Sequence, residues 1–184
     1  MSRELPDIVV RALRTSLAEG FVDTTRTETG WLLATLAAAV SGPVAECGTG
    51  CGVGAAWLRW GAPPATGVFT AEANAHLADR ARTVFATDDI TVVHGDWAEL
   101  AEHGPFGLLC TDHALARDDE ADRLRELLRP GGIAVIDALA PRSLAPYDPV
   151  RNRWLEDAGL IATEVPVSAD SWLIVATRTP AIAN

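Results

Sequence analysis

Residues 44–58 read VAECGTGCGVGAAWL: an apolar run that ends in Glu46 and Cys47, then glycines at 48, 50, 52 and 54, then a second apolar run. Four glycines in seven positions remove the side chains that hold other atoms at a distance. The stretch therefore predicts a strand, a tight turn and a helix, with backbone approaching a ligand at the turn. The spacing is G-x-G-x-G rather than the G-x-G-x-x-G that admits a dinucleotide pyrophosphate to a helix N-terminus. Glu46 also puts a carboxylate where a phosphate would lie. Such a turn suits a ligand that carries a cationic amino group.

On both sides of the turn, short apolar runs alternate with helical stretches. The strand-like runs are PVAEC (43–47), GVFTA (67–71), ITVVH (90–94), FGLLCTD (106–112) and GIAVIDAL (132–139); the helices between and after them span Val53–Trp60, Asn74–Phe85, Arg117–Leu128 and Val150–Ala158. Alternation of this kind implies right-handed crossovers and a parallel sheet covered on both faces. Only Ser168, Ala169 and Asp170 separate Leu160–Val167 from Ser171–Thr177, so these two form a hairpin and the last strand runs antiparallel. The expected architecture is α/β: a doubly wound, mostly parallel, seven-stranded sheet in one domain over 1–184. Within it, 1–40 form N-terminal helices and 43–178 the α/β core. The helices are placed at Leu5–Leu17 and Trp31–Val40, with Thr27 and Thr29 as caps of the second. The stretch APRSLAPYDP (140–149) reads as a loop over the carboxyl edge of the sheet, where ligands of such folds bind.

A net charge of −10 opposes contact with nucleic acid or an anionic membrane, which leaves a small molecule or a protein as partner. No apolar run approaches the roughly 20 residues that span a bilayer, and the acidic start lacks the pattern of a secretory signal, so a cytoplasmic location is expected. All 15 basic residues are arginines, so no lysine can serve as a base. Cys47 and Cys51 straddle the glycine turn without a second pair at metal spacing, and Cys110 reads as a buried strand residue. His76, His94 and His103 carry no pattern that implies chemistry.

Two further acids end strands. Glu72 lies twenty residues beyond Gly52, at the place where nucleoside-binding α/β folds put a carboxylate on the ribose hydroxyls, although a glutamate at a helix start also serves as a cap. Asp96, in HGDWAEL, follows the third strand and is placed to accept an adenine amine, with the Trp97 amide toward the ring.

With these pieces in order the chain resembles the class I S-adenosylmethionine-dependent methyltransferases, and more narrowly the small-molecule O-methyltransferases of the catechol and caffeoyl-CoA type. The matching stretches are TETGWLLATLAAAV, AECGTGCG, TAEANAHLADRARTVF, ITVVHGDWAEL, FGLLCTDH, LLRPGGIAVIDAL and the closing VPVSADSWLIVATR. The resemblance implies a Rossmann-like methyltransferase fold and transfer of a methyl group from S-adenosylmethionine to a hydroxyl oxygen of a small-molecule acceptor. It implies that Glu46 and the turn Gly48, Thr49, Gly50 and Gly52 hold the methionine part. Glu72 would hold the ribose and Asp96 with Trp97 the adenine, with Ala73 also in the cofactor site. Thr27 and Asp112 would lie beside the cofactor. It also implies a homodimer, to which the apolar helix Leu5–Leu17 would contribute.

The family's divalent metal and lysine base are only half kept. Asp112 and Asp137 match two metal ligands, but Ala138 stands in place of an asparagine and Leu115 in place of the lysine. Two carboxylates with water would hold magnesium weakly, since that ion often keeps several waters. The expectation is therefore transfer without a metal, with Asp112 and His113 as the catalytic pair: His113 as base, or positioning alone. A protein that binds the cofactor but has lost catalysis, acting as a sensor or partner subunit, is the alternative, and a nicotinamide-dependent oxidoreductase is a more distant one. The modest length leaves little chain for an acceptor pocket, which points to a larger acceptor or a wall from a second subunit.

Overall fold

A computed structural model describes residues 4–180. Its seven strands are β1 Val44–Cys47, β2 Val68–Glu72, β3 Thr91–His94, β4 Phe106–Asp112, β5 Leu128–Leu139, β6 Leu160–Pro166 and β7 Trp172–Arg178. They form one sheet in the order β3-β2-β1-β4-β5-β7-β6. Pairings among β1 to β5 are parallel, whereas β7 runs antiparallel to both β5 and β6. The chain order reverses between β1 and its neighbours β2 and β4, and such a switch point opens a crevice at the carboxyl ends of the strands.

Six helices cover the sheet: α1 Asp7–Ala18, α2 Thr27–Ala39, α3 Val53–Gly61, α4 Ala75–Val84, α5 Asp118–Leu127 and α6 Pro149–Leu155. The core divides by face. On one side Val44, Leu108, Cys110 and Val135 meet α1, α2, α3 and α4; on the other Ala45, Leu109, Ala134 and Ile136 meet α5 and α6. Period-two alternation along each strand sends successive side chains to opposite faces. Gly30 and Gly61 let α2 and α3 approach closely, since a Cβ at Gly30 would lie 2.1 Å from Trp57 and one at Gly61 2.1 Å from the Ala34 carbonyl oxygen.

The structure corrects several expected boundaries. The second helix begins at Thr27, four residues early, and neither Thr27 nor Thr29 caps it; Arg26 occupies the cap position without a side-chain capping bond. Thr29 is fully buried and has a distant partner instead, described below. A 3-10 helix over Trp97–His103, unforeseen from the sequence, follows β3, capped by the Asp96 carboxylate with Glu99 returning the bond. β5 starts at Leu128 and passes through Pro130, Gly131 and Gly132, with a register shift opposite Phe106 and Leu108. The stripe Ile8, Val9 and Ala12 of α1 is buried in the main core against α3 and α4, so α1 is part of the core and not an outlying helix; Leu17 stays exposed. No helix among the described residues is long and apolar enough to cross a membrane.

Candidate active site

The glycine turn lies at the switch point, and most of its glycines answer to the protein's own packing. Gly48, Gly50 and Gly52 all have positive φ, at 88°, 51° and 93°, a region that side chains disfavour. A Cβ on Gly52 would lie 2.5 Å from Phe85, and one on Gly54 only 1.8 Å from Glu46 Oε1. Gly48 differs: its Cβ would meet only Leu115, at 3.2 Å. It also borders three adjoining cavities, so it is the glycine at which backbone opens to a ligand.

Glu46, 5% exposed, lies one residue before the end of β1 and lines two of those cavities. Its Oε2 accepts from the Ala55 N–H at 3.0 Å and from the Thr70 hydroxyl at 3.1 Å, while its Oε1 accepts no hydrogen bond among the described residues. Thr49 and Thr70 share a hydrogen bond of 2.6 Å, so the Thr49 side chain supports Glu46 through Thr70. Burial pushes the Glu46 carboxyl up to about 8, against the lowering effect of Thr70 and Ala55 and with the negative charges of Glu72 and Asp112 adding to it. A buried carboxyl with one unpartnered oxygen is fitted to an ammonium group, which would restore its charge.

Glu72 is braced by backbone alone. The Gly50 N–H donates to Oε2 at 2.8 Å and the Asn74 N–H to Oε1 at 2.9 Å, so the carboxylate is fixed while both oxygens keep lone pairs for further donors. With Ala73, Gly95, Asp96, Trp97, Leu115 and Gly48 it lines a cavity of about 290 Å³. Asp96 Oδ1 caps the 3-10 helix through the Ala98 N–H at 2.8 Å. Trp97 is buried, with the Arg123 guanidinium 4.9 Å from its ring centroid.

On the other side of Gly48 a second cavity, about 270 Å³, is lined by segment 22–26, Glu46, Asp112, Asp137, Ala138 and Ser171 among others. Asp112 and Asp137 are register partners on β4 and β5. Asp137 Oδ1 accepts from the Thr29 hydroxyl at 3.1 Å, and Asp112 Oδ1 from the Leu115 N–H at 2.8 Å. Ala138 has φ 64° at a register shift between β5 and β7, so the strand kinks where Asp137 leaves it. Burial raises the Asp137 carboxyl above the usual range; the Ala138 N–H, Thr29 and the Arg26 charge oppose this, and Asp112 adds to it.

Among solved structures the chain is similar to a cofactor-bound protein from MTB, at 25% identity and TM-score 0.80, covering 95% of this chain and 90% of that one. It is also similar to the O-methyltransferase TomG of Streptomyces achromogenes in complex with SAM and to an O-methyltransferase of Bacillus cereus in complex with SAH. Each of these has 18% identity, TM-score 0.79 and coverage of 96% of this chain and 92% of its own. No family model matches the chain, and no curated protein does. The chain has the Rossmann-like methyltransferase fold.

The expected cofactor residues fall in two groups. Glu46, Gly48, Thr49, Gly50, Glu72, Ala73, Asp96, Trp97 and Asp112 gather around the three cavities. Gly52 lies under the turn against Phe85, and Thr27, exposed on the first turn of α2, is not among the lining residues; Thr24, Thr25 and Arg26 are. His113 is drawn elsewhere: its Nε2 lies 3.1 Å from both oxygens of Asp148, and the ring does not line the cavity beside Asp112. Segment 22–26, which includes Arg26, and Ser171 carry no sequence signal of a site; only their place before α2 and in the last hairpin brings them here.

A complete divalent-metal site does not fit the residues present: Ala138 offers no side-chain donor atom, Asp112 and Asp137 each have one oxygen engaged by the chain, and no group of three or more His, Cys, Asp or Glu among the described residues is placed to hold an ion. The cofactor does fit, because the unpartnered Oε1 of Glu46 and the braced carboxylate of Glu72 stand on two sides of Gly48.

Proposed function

We propose that this chain transfers a methyl group from S-adenosylmethionine to a hydroxyl oxygen of a small molecule, without a divalent metal. The observation that carries the reading is the disposition of Glu46 and Glu72 about Gly48, in a fold shared with SAM- and SAH-bound proteins. Glu46 receives the amino group, Glu72 the ribose hydroxyls, and the Ala73, Asp96 and Trp97 wall the adenine. When bound, the cofactor supplies a methyl carbon on a sulfonium whose sulfur leaves with the bonding pair.

The protein's task is then alignment of the acceptor and removal of its proton. Asp137 is the group suited to the proton. It lines the second cavity, Thr29 fixes one oxygen, and burial raises its carboxyl toward the range of a working base. His113 acts at one remove, through the bond that ties it to Asp148 at the start of α6. A homodimer would use surface other than the buried stripe of α1, and light scattering at micromolar concentration measures it.

The test is a thermal-shift series with S-adenosylmethionine, S-adenosylhomocysteine and NAD(H), followed by an assay of S-adenosylhomocysteine release with EDTA present. A ligand that binds only the native state raises the melting temperature. Stabilisation by the two sulfur ligands and not by NAD(H), with turnover insensitive to EDTA, is expected. Loss of turnover with EDTA and its rescue by Mg²⁺ refute the metal-free mechanism.

A further inference from the structure

The second cavity has a one-sided charge. Asp23, Glu46, Asp112 and Asp137 line it, and the only cationic side chain among its lining residues is Arg26. That guanidinium is already engaged across the cavity's rim: its two terminal nitrogens donate to the two oxygens of Asp170, at 3.0 and 3.2 Å. Asp170 is itself held by the Ser168 hydroxyl at 2.7 Å, and these bonds, Ser168 first and then Arg26, keep its carboxyl below the usual range. A fork-to-fork pair of this kind fixes orientation as well as charge. His113, the nearest imidazole in sequence, is likewise engaged by Asp148. The bound cofactor would bring one net positive charge, which Glu46 alone offsets. Asp23, Asp112 and Asp137 then have as cation among the lining residues only Arg26, whose charge reaches Asp137 but whose guanidinium is already paired with Asp170.

We infer that the acceptor carries a protonated amine in addition to the group that is methylated, and that Asp170 determines this preference by keeping Arg26 occupied. The inference rests on the proposed methyl transfer and adds the acceptor's charge class to it. An acceptor with a carboxylate or phosphate would meet three like charges and no free cation, whereas an ammonium finds Asp112 and Asp23 on the cavity wall. Releasing Arg26 inverts part of this field: without its carboxylate partner the guanidinium becomes available to an anion at the same rim.

The experiment uses three probes that differ only in side-chain charge, a 4-hydroxyphenyl ring carrying an ethylamine, a hydroxyethyl or an acetate group. Binding to the S-adenosylhomocysteine complex is measured by calorimetry, and methyl transfer by S-adenosylhomocysteine release, for the wild-type chain, Asp170→Asn and Arg26→Gln. The wild type should favour the amine over the acetate by about tenfold or more in binding, the scale expected for reversing one charge near a partly solvated carboxylate. Asp170→Asn should narrow that ratio several-fold by improving the acetate, and Arg26→Gln should keep or widen it. Equal or better binding of the acetate by the wild type, binding of none of the three, or an unchanged ratio in Asp170→Asn overturns the inference. Absence of S-adenosylhomocysteine binding in the first place is a different failure, that of the cofactor reading, and this inference falls with it.

Discussion

The two halves of the sheet's carboxyl edge are built by different means. At β1, β2 and β3 each candidate-site carboxylate is held by backbone N–H groups, Glu46 by Ala55, Glu72 by Gly50 and Asn74, Asp96 by Ala98, and only Glu46 has a side-chain donor besides, the Thr70 hydroxyl. At β4 to β7 backbone donors also occur, Leu115 to Asp112 and Arg151 to Asp148, but side chains from other parts of the chain are added: Thr29 on Asp137, His113 on Asp148, Arg26 on Asp170, and Arg142 with Arg151 on Glu164. Backbone donors come with the path of the chain whatever the residue, so the first half tolerates change in its neighbours. Side-chain donors are lost one substitution at a time, so the second half is where specificity and fragility meet.

The sharpest way to break this comparison is Arg151→Ala. Arg151 is fully buried, bonds the carbonyls of Ala140 and Ala145 and pairs with Glu164, and so fastens residues 140–149 over the sheet edge. Removing one partner of a buried ion pair costs about 3–5 kcal/mol. Chemical denaturation should show a loss of that order, and a loss below about 1 kcal/mol would mean that the acceptor half does not depend on its side-chain pairs.

In the cofactor half, Glu72→Ala should leave the fold intact and weaken S-adenosylhomocysteine binding by about 1.5–3 kcal/mol, the range for hydrogen bonds to a charged group. Calorimetry decides this, and unchanged affinity removes Glu72 from the site. A smaller effect is expected at Ala138, whose positive φ disfavours a side chain. Ala138→Gly should stabilise the chain by up to about 1 kcal/mol, since relief of left-handed strain exceeds the added flexibility of glycine. A destabilised variant would show that the Ala138 methyl contributes more by packing than its backbone loses.

The same contrast explains how much was legible in the sequence. The strand alternation, the hairpin after Asp170 and the acids at strand ends follow from periodicity and turn chemistry, and the cofactor half needs little more, because its carboxylates are met by N–H groups that any residue supplies. The acceptor half depends on particular pairs far apart in the chain: Thr29 with Asp137 across 108 residues and Arg26 with Asp170 across 144. No local pattern announces them. Thr29 read as a helix cap because a threonine near a helix start usually is one, and His113 read as a base because Asp148 lies 35 residues away. The glycine turn carried a subtler lesson. Its composition points to a ligand, yet Gly50, Gly52 and Gly54 crowd Phe21, Phe85 and Glu46, and only Gly48 among them borders all three cavities.

The role proposed for the buried Glu46 carboxyl would tie cofactor binding to pH. Its folded value of about 8 lies above the ordinary glutamate value of 4.5, so the ligand-free fold binds a proton that the unfolded chain releases. The stability this provides is fully present below about 4.5 and declines as pH rises to about 8, which melting temperatures across that window should follow. An ammonium group on Oε1 reverses the preference and ionises the carboxyl. The central claim is therefore tested most directly by titrating the protein with S-adenosylhomocysteine at pH 7 in two buffers of different ionisation enthalpy. Saturable binding with release of close to one proton per chain, abolished in Glu46→Gln, is the predicted result; no binding, or binding without proton release, would contradict it.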